Sequence, residues 1–324
     1  MNGNREPLIF DTSDGQELRI NTINTYLKRR FGQKTVKLSI DGGFTCPNRD
    51  GSKGYGGCLF CSAEGSGDMA DGSGDIKKDL ENQIALLSGK WPDAAYIAYF
   101  QSHTNTYAPA ALLRKKYMAA ISHPGIKGIA IATRPDCIPD DVLDLLCEVR
   151  EKNFMWVELG LQTIHSSTAE AMNLCYTLAD YEDALSRLMS KKIPVVTHLI
   201  LGLPGESREM MLQSVRYAGG SDIFGIKLHM LNLVRGSAME KSFPGYVSFD
   251  SMDEYVDLVI SALELISPRI TVHRITADAP RATLISPWWS YKKRTLLNTV
   301  HKEMKARDTW QGRLYSSGPS RPSL

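Results

Sequence analysis

Apolar positions along the chain alternate between two rhythms. Short, nearly continuous apolar runs predict strands over 36–40, 95–100, 128–132, 154–161, 195–201, 223–230 and 270–275. Between them, apolar residues return every three or four positions, which predicts helices over 76–87, 109–121, 140–150, 181–190, 207–217, 252–265 and 295–306. A short helix ended by Gly32 is expected over 27–32, and another begins over 167–173. Strands that alternate with helices of this length imply βαβ units and a parallel sheet. The strand His198-Leu199-Ile200-Leu201 lacks polar alternation, as expected of a sheet covered on both faces. About six units follow Val36, with one further strand near Val272. The expected fold is α/β, a partial (β/α)6-type TIM barrel with an additional C-terminal strand and helix. An open doubly wound sheet is the alternative.

One stretch breaks the rhythm. Residues 41–75 are rich in Gly, Ser, Asp and Asn and carry Cys46, Cys58 and Cys61. A loop this long in a compact domain is usually functional or disordered, and its cysteines argue for function. Parallel α/β folds bind ligands at the carboxyl ends of strands, so a loop after the first strand would lie at the mouth of a site.

Composition narrows the chemistry. The 324 residues are 43 % hydrophobic, enough for a large core, and 38 Lys and Arg against 36 Asp and Glu leave a net charge of +2 that names no partner. A wholly nucleic-acid-coated surface is not expected, though a local basic patch is allowed. No apolar run of membrane-spanning length occurs, and the polar start at Met1–Pro7 lacks a secretory signal, so a cytoplasmic location and no membrane contact are expected. Thiols in such a compartment bind metal or are buried rather than form disulfides. Cys137, Cys147 and Cys175 lack ligand spacing, whereas Cys46-x11-Cys58-x2-Cys61 places three thiols within sixteen residues. Gly54, Gly56 and Gly57 let the backbone wrap closely beside the last two. A structural zinc site is normally closed by four ligands, and a fourth would have to come from a distance, for example His103. A cubane iron–sulfur cluster held by three thiolates leaves one iron open. Cluster, zinc and unrelated buried thiols, in that order, are the readings that spacing supports.

The surrounding strings carry a resemblance. They include 41–51 (DGGFTCPNRDG), 56–62 (GGCLFCS), 99–101 (YFQ), 104–109 (TNTYAP) and 132–137 (ATRPDC). Further along come 157–163 (VELGLQT), 197–206 (THLILGLPGE), 273–281 (HRITADAPR) and the ending 310–312 (WQG). In these the chain resembles the radical S-adenosylmethionine superfamily, in the branch of the Elongator catalytic subunit and oxygen-independent coproporphyrinogen oxidase. The likeness runs from about Tyr26 to Tyr315, in the order of a small bacterial group. One branch of that group is implicated in finishing the side chain of the transfer-RNA wobble uridine. Where relatives continue Asn-Arg-Gly-His, this chain has Asn173-Leu174-Cys175-Tyr176, so an Arg and a His of that string are missing. If those groups touch substrate, the substrate here differs or is handled poorly.

The resemblance implies that Cys46, Cys58 and Cys61 hold a [4Fe–4S] cluster whose open iron binds S-adenosylmethionine. Reduction by an external flavodoxin- or ferredoxin-type donor then gives a 5′-deoxyadenosyl radical. Contacts to S-adenosylmethionine are expected from Gln101, Arg134, Glu158, Gln162, Gly202, Gly205, Glu206, Leu231 and Asn232. Glu158 stands in an apolar strand and needs a partner, either the cofactor or an internal pair with Arg134. His103, His198, His229, His273, Asp278 and Arg281 are the substrate candidates, with the three strand histidines expected to converge at one barrel end. The implied organisation is an N-terminal extension over 1–35, the barrel core over 36–240, an extension packing on it over 241–315, and a loose tail over 316–324.

Basic runs beside aromatics are the RNA candidates: Lys28-Arg29-Arg30, and Lys292-Lys293-Arg294 after Trp288, Trp289 and Tyr291. The resemblance makes transfer RNA the leading substrate. A small metabolite or a protein side chain is the alternative, and a zinc-binding interaction protein or a catalytically retired member is the alternative from another class. The oligomeric state is open.

Overall fold

The structure, a computed structural model, describes residues 7–12, 15, 17–62, 65, 73–277 and 279–316. Its elements run α1 (Ile23–Phe31), β1 (Thr35–Ile40), α2 (Ile76–Ser88), β2 (Ala95–Phe100), α3 (Ala110–Ile121) and β3 (Ile126–Thr133). Then follow α4 (Asp140–Lys152), β4 (Phe154–Gln162), α5 (Ser166–Ala171), α6 (Leu178–Ser190), β5 (Val195–Leu201), α7 (Arg208–Gly219) and β6 (Gly225–Met230). The C-terminal part holds β7 (Leu233–Val234), α8 (Ala238–Ser242), α9 (Met252–Leu265), β8 (Thr271–Arg274), β9 (Leu284–Ser286) and α10 (Lys293–Ala306). Among the described residues, no helix is long and apolar enough to cross a membrane.

Seven strands pair in parallel in the order β1-β2-β3-β4-β5-β6-β8. Each strand lies beside the next one of the chain, with no reversal. A doubly wound sheet reverses its order at a switch point, so that alternative is excluded. The sheet curls one way into a half-barrel. Its outer face is apolar: Leu38, Ile40, Phe100, Ile129, Ile131, Val157, Leu159, Leu199 and Leu228 are buried in the main core with α2, α3, α4, α6, α7 and α9.

The inner face is built differently at its two ends. At the amino ends of the strands, α1 closes the bottom. Thr22 caps the helix, accepting the Thr25 backbone N–H at 3.2 Å, and Gly32 ends it in a left-handed conformation. Ile23 and Leu27 sit in a second core with Ile97, Tyr99, Ala130, Trp156 and Val196. Tyr26 meets Phe224 at 5.1 Å, and the Arg30 guanidinium lies 4.2 Å over Phe154. The basic run 28–30 thus belongs to this plug, at the end opposite the carboxyl ends of the strands. The predicted helix over 27–32 begins earlier, at Ile23, because those first turns are amphipathic against the barrel floor.

A small antiparallel ribbon, β7 with β9, was not expected. Its strands are two and three residues long, too short for a period of two to register.

Candidate active site

The loop after β1 is ordered from its own backbone. The Cys46 carbonyl accepts Arg49 N–H at 2.8 Å and Asp50 N–H at 3.2 Å, Asn48 O accepts Gly57 N–H at 2.7 Å, and Cys58 O accepts Cys61 N–H at 3.0 Å. Asn48 is fully buried; its side-chain amide donates to Asn173 O and reaches Cys58 Sγ at 3.7 Å. The turn is tight enough to need glycine: a Cβ on Gly54 would stand 2.2 Å from Asn48 Oδ1. The loop is tied outward too, through Leu59 N–H to Met172 O at 3.1 Å and Met239 N–H to Leu59 O at 2.9 Å.

The three thiols stand on the wall of a cavity of about 430 Å³ at the carboxyl ends of the strands. Facing them are Gln101 and His103 after β2, Arg134 after β3, Glu158 and Gln162 on β4, His198 on β5, and His229, Leu231 and Asn232 at and after β6. The Cys58 thiol donates to Cys61, which raises the pKa of Cys58 and lowers that of Cys61; the Arg49 charge adds to the lowering. Two wall residues are held with positive φ: His103 at 56° and Gln162 at 68°. Non-glycine residues in this region cluster at functional sites.

Below the cavity runs a buried polar chain. Glu158, 1 % exposed, accepts Tyr99 O–H at 2.6 Å, Trp156 Nε1–H at 3.0 Å and His198 Nε2–H at 3.0 Å, and pairs with Lys227, also 1 % exposed. Lys37 Nζ lies 3.5 Å from the other carboxylate oxygen. Burial alone would raise the Glu158 pKa, but the Lys227 and Lys37 charges hold it well below the usual carboxylate range. Burial and the Lys227 charge push His198 down to about 4, so its ring is neutral at pH 7. A neutral ring that donates through Nε2 keeps Nδ1 as an acceptor. Of the two partners open to Glu158, the cofactor and Arg134, the internal pair with Arg134 does not form. Arg134 forks onto Asp136 at 2.9 Å twice, donates to the Leu174 and Cys175 carbonyls at 2.9 and 3.2 Å, and lies 4.8 Å under the Tyr176 ring. Its partners are therefore the string 173–176 in which this chain departs from its resemblance.

Other candidates stand elsewhere. His198 and His229 are neighbours, with ring centroids 5.2 Å apart, but His273 does not join them. Its ring is wedged at the barrel floor against Trp156 and Phe224, with Nε2 3.0 Å from Thr271 Oγ1. Gly202 backs onto Phe249, Gly205 leads into α7, and the Glu206 carboxylate accepts the Thr163 hydroxyl. None of these three forms the cavity wall. Arg281 lies over the Tyr291 ring at 4.7 Å. Asp278 is outside the described residues. Tyr99, Arg274 and Ser39 line the cavity without having been anticipated. A usable signal was present at Lys37 and Lys227, lysines in the middle of apolar strands, which demand a buried counter-charge.

Comparison with known proteins agrees with this geometry. The Radical SAM superfamily model matches residues 46–218, and the Radical_SAM C-terminal domain model matches 223–306. The chain belongs to the radical SAM superfamily. It is 44 % identical to the YtqA protein of Bacillus subtilis over 304 residues, 92 % of this chain and 94 % of that one. A tRNA uridine(34) acetyltransferase of Methanocaldococcus jannaschii is 23 % identical over 181 residues, 55 % of this chain and 32 % of that one. Among solved structures, archaeal Elp3 of Methanocaldococcus infernus, with its N-terminus (1–46) deleted, superposes with a TM-score of 0.64 at 16 % identity. That match covers 86 % of this chain and 64 % of the other.

Members of this superfamily bind a [4Fe–4S] cluster and S-adenosylmethionine. The residues present fit both. An all-thiol donor set suits iron–sulfur chemistry, and a cubane takes each thiolate on a different iron. The cavity has the volume of a small-molecule site. Two buried polar atoms on its wall, His229 Nε2 and Asn232 Oδ1, have no partner among the described residues.

Proposed function

We propose that this protein modifies the side chain of a transfer-RNA wobble uridine by radical S-adenosylmethionine chemistry. The observation that carries the radical reading is the single cavity that joins Cys46, Cys58 and Cys61 to Gln101, Glu158, Gln162 and His198. The likeness to a tRNA uridine(34) acetyltransferase supports the nucleic-acid side of the reading.

Cys46, Cys58 and Cys61 would hold the [4Fe–4S] cluster, and Gln101, Arg134, Gln162, Leu231 and Asn232 would line the S-adenosylmethionine site. When bound and reduced by an external donor, this pair supplies a 5′-deoxyadenosyl radical that removes hydrogen from substrate. The protein's task is to aim the substrate and to exclude water. Glu158 acts as a positioning residue, because its carboxylate is already committed to Tyr99, Trp156, His198 and Lys227. It fixes the tautomer of His198 by taking its Nε2–H and leaving Nδ1 to accept, while burial and the Lys227 charge keep the ring neutral. His229, beside it, is also held neutral, by burial and the Arg274 charge. Two neutral imidazoles in the cavity wall offer hydrogen-bond acceptors to a nucleobase edge.

Nucleoside mass profiles of transfer RNA test this. Cells lacking the gene should accumulate an unfinished wobble-uridine derivative, and the reconstituted protein should convert it. Identical profiles with and without the gene would overturn the transfer-RNA reading and move the chemistry to a small metabolite or a protein side chain.

A further inference from the structure

The segment that continues the chain from the cavity residues Ala277 and Ala279 carries exposed aromatics and cations. Residues 279–302 contain Arg281, Lys292, Lys293, Arg294 and Lys302 and no Asp or Glu, in a chain whose total charge is close to balanced. Within that segment Trp288 is 56 % exposed and Tyr291 is 40 % exposed. Tyr and Trp are enriched at interfaces, where an apolar ring and a polar tip both find partners. The two rings stand edge to face, 6.4 Å apart at 85°, and the Arg281 guanidinium lies 4.7 Å over Tyr291. Lys292 reaches the same ring at 6.0 Å. The neighbouring Trp289 turns inward against Tyr255 at 6.0 Å and anchors the turn.

This surface adjoins the chamber. Val234, Ala277 and Ala279 are cavity wall. Val234 pairs with Leu284 on β9, which leads through Pro287 into the turn that presents Trp288, and Arg281 follows Ala279 by two residues. Lys293, which opens α10, is near enough to the cavity residue Arg274 for the two charges to repel.

Resting on the reading of an RNA substrate, we propose that Trp288, Tyr291 and Arg281 form a stacking platform for the single-stranded nucleotides that flank the base entering the cavity. The physical reason is general. An enzyme that works on a base must take it out of its stack, which leaves the neighbouring base with an uncovered face. An exposed aromatic at the chamber rim covers that face without reading its identity, and the acid-free cations hold the backbone. The basic run 28–30, on the opposite end of the barrel, takes no part.

The test is binding of a fluorescent RNA hairpin whose loop carries the wobble uridine, measured by anisotropy on the full-length, cluster-loaded protein. A blunt duplex of the same stem is the second probe. Trp288→Ala should weaken hairpin binding by about 5- to 100-fold, the range for loss of one base–aromatic stack, and leave duplex binding unchanged. Trp288→Phe, which keeps a ring face, should restore most of the affinity. Arg281→Ala should lower the slope of log affinity against log salt by about one. Leu86→Ala, on α2, is the unaffected control. Melting curves and iron content identify any variant that fails to fold, and Trp288→Phe then carries the comparison through a matched Tyr291→Phe series. Wild-type binding with no loss in Trp288→Ala overturns the platform and leaves the transfer-RNA reading intact. An equal loss on hairpin and duplex overturns stacking. No binding of the hairpin by the wild type overturns both the platform and the reading beneath it.

Discussion

Glu158 carries a negative charge into the wall of an apolar barrel, and the surrounding side chains answer it. Its removal would leave Lys227 buried without a counter-ion. Glu158→Gln should therefore cost about 3–5 kcal/mol in urea unfolding, whereas the double change Glu158→Gln with Lys227→Met should recover much of that loss. A double-variant cost equal to the sum of the Glu158→Gln and Lys227→Met costs would mean that the pair is not coupled. His198 sets a pH dependence of known sign. Its pKa is about 4 when folded and near 6.5 when unfolded, so between these values the unfolded chain binds more protons. Stability then falls as pH drops from about 7 towards 4, by about 2 kcal/mol at pH 5 from this ring alone. Glu158 does not supply that slope, because its stabilisation is lost only below the ordinary carboxylate range. His198→Gln should flatten the fall in urea midpoint between about pH 7.5 and pH 5; an unchanged fall would remove His198 from the account. The sequence marks Glu158 as a buried carboxylate in need of a partner and leaves that partner open between the cofactor and Arg134. Both arginine and lysine were available. What decides between them is the register that sets β4 beside β5 and β5 beside β6, and no spacing in the chain encodes that register.

Strands and helices were legible because they are long and strongly periodic. Their ends and their smallest members were not. The plug α1 looked like an extension because only its polar last turn, Lys28-Arg29-Arg30, stands out in sequence; the apolar face of Ile23 and Leu27 has meaning only once a barrel floor exists to receive it. His273 shows the same limit. A histidine on a strand could point to either end of the barrel, and here Gly225 decides. A Cβ at position 225 would meet His273 Nε2 at 2.4 Å, so the missing side chain makes room for the ring. Gly225→Ala should destabilise the fold by about 1–3 kcal/mol through overpacking. His273→Ala in the same chain should relieve the clash, giving a non-additive cycle in thermal or urea unfolding. Additive effects would mean that the ring does not occupy that space.

At the scale of the whole molecule, the monotonic strand order gives the protein two dissimilar ends. The amino end is sealed by α1 and an aromatic cluster. The carboxyl end gathers the cysteine loop and the neutral histidines around one chamber. The cysteine triplet, the cavity wall after β2 and β4, and membership of the radical SAM superfamily followed from local strings. The positions after β5 did not: Gly202, Gly205 and Glu206 lie in a turn that packs on Phe249 and Thr163, and a turn's proximity in sequence to a strand end does not fix which way it faces.

The measurement that bears most directly on the account is anaerobic. The protein is reconstituted with iron and sulfide, reduced, and given S-adenosylmethionine with transfer RNA from cells lacking the gene; 5′-deoxyadenosine and modified nucleosides are then quantified together. 5′-Deoxyadenosine formation should rise with the RNA, match the converted nucleoside in amount, and disappear in Cys58→Ala. Absence of 5′-deoxyadenosine from protein carrying four irons per chain, or its persistence in Cys58→Ala, would contradict it.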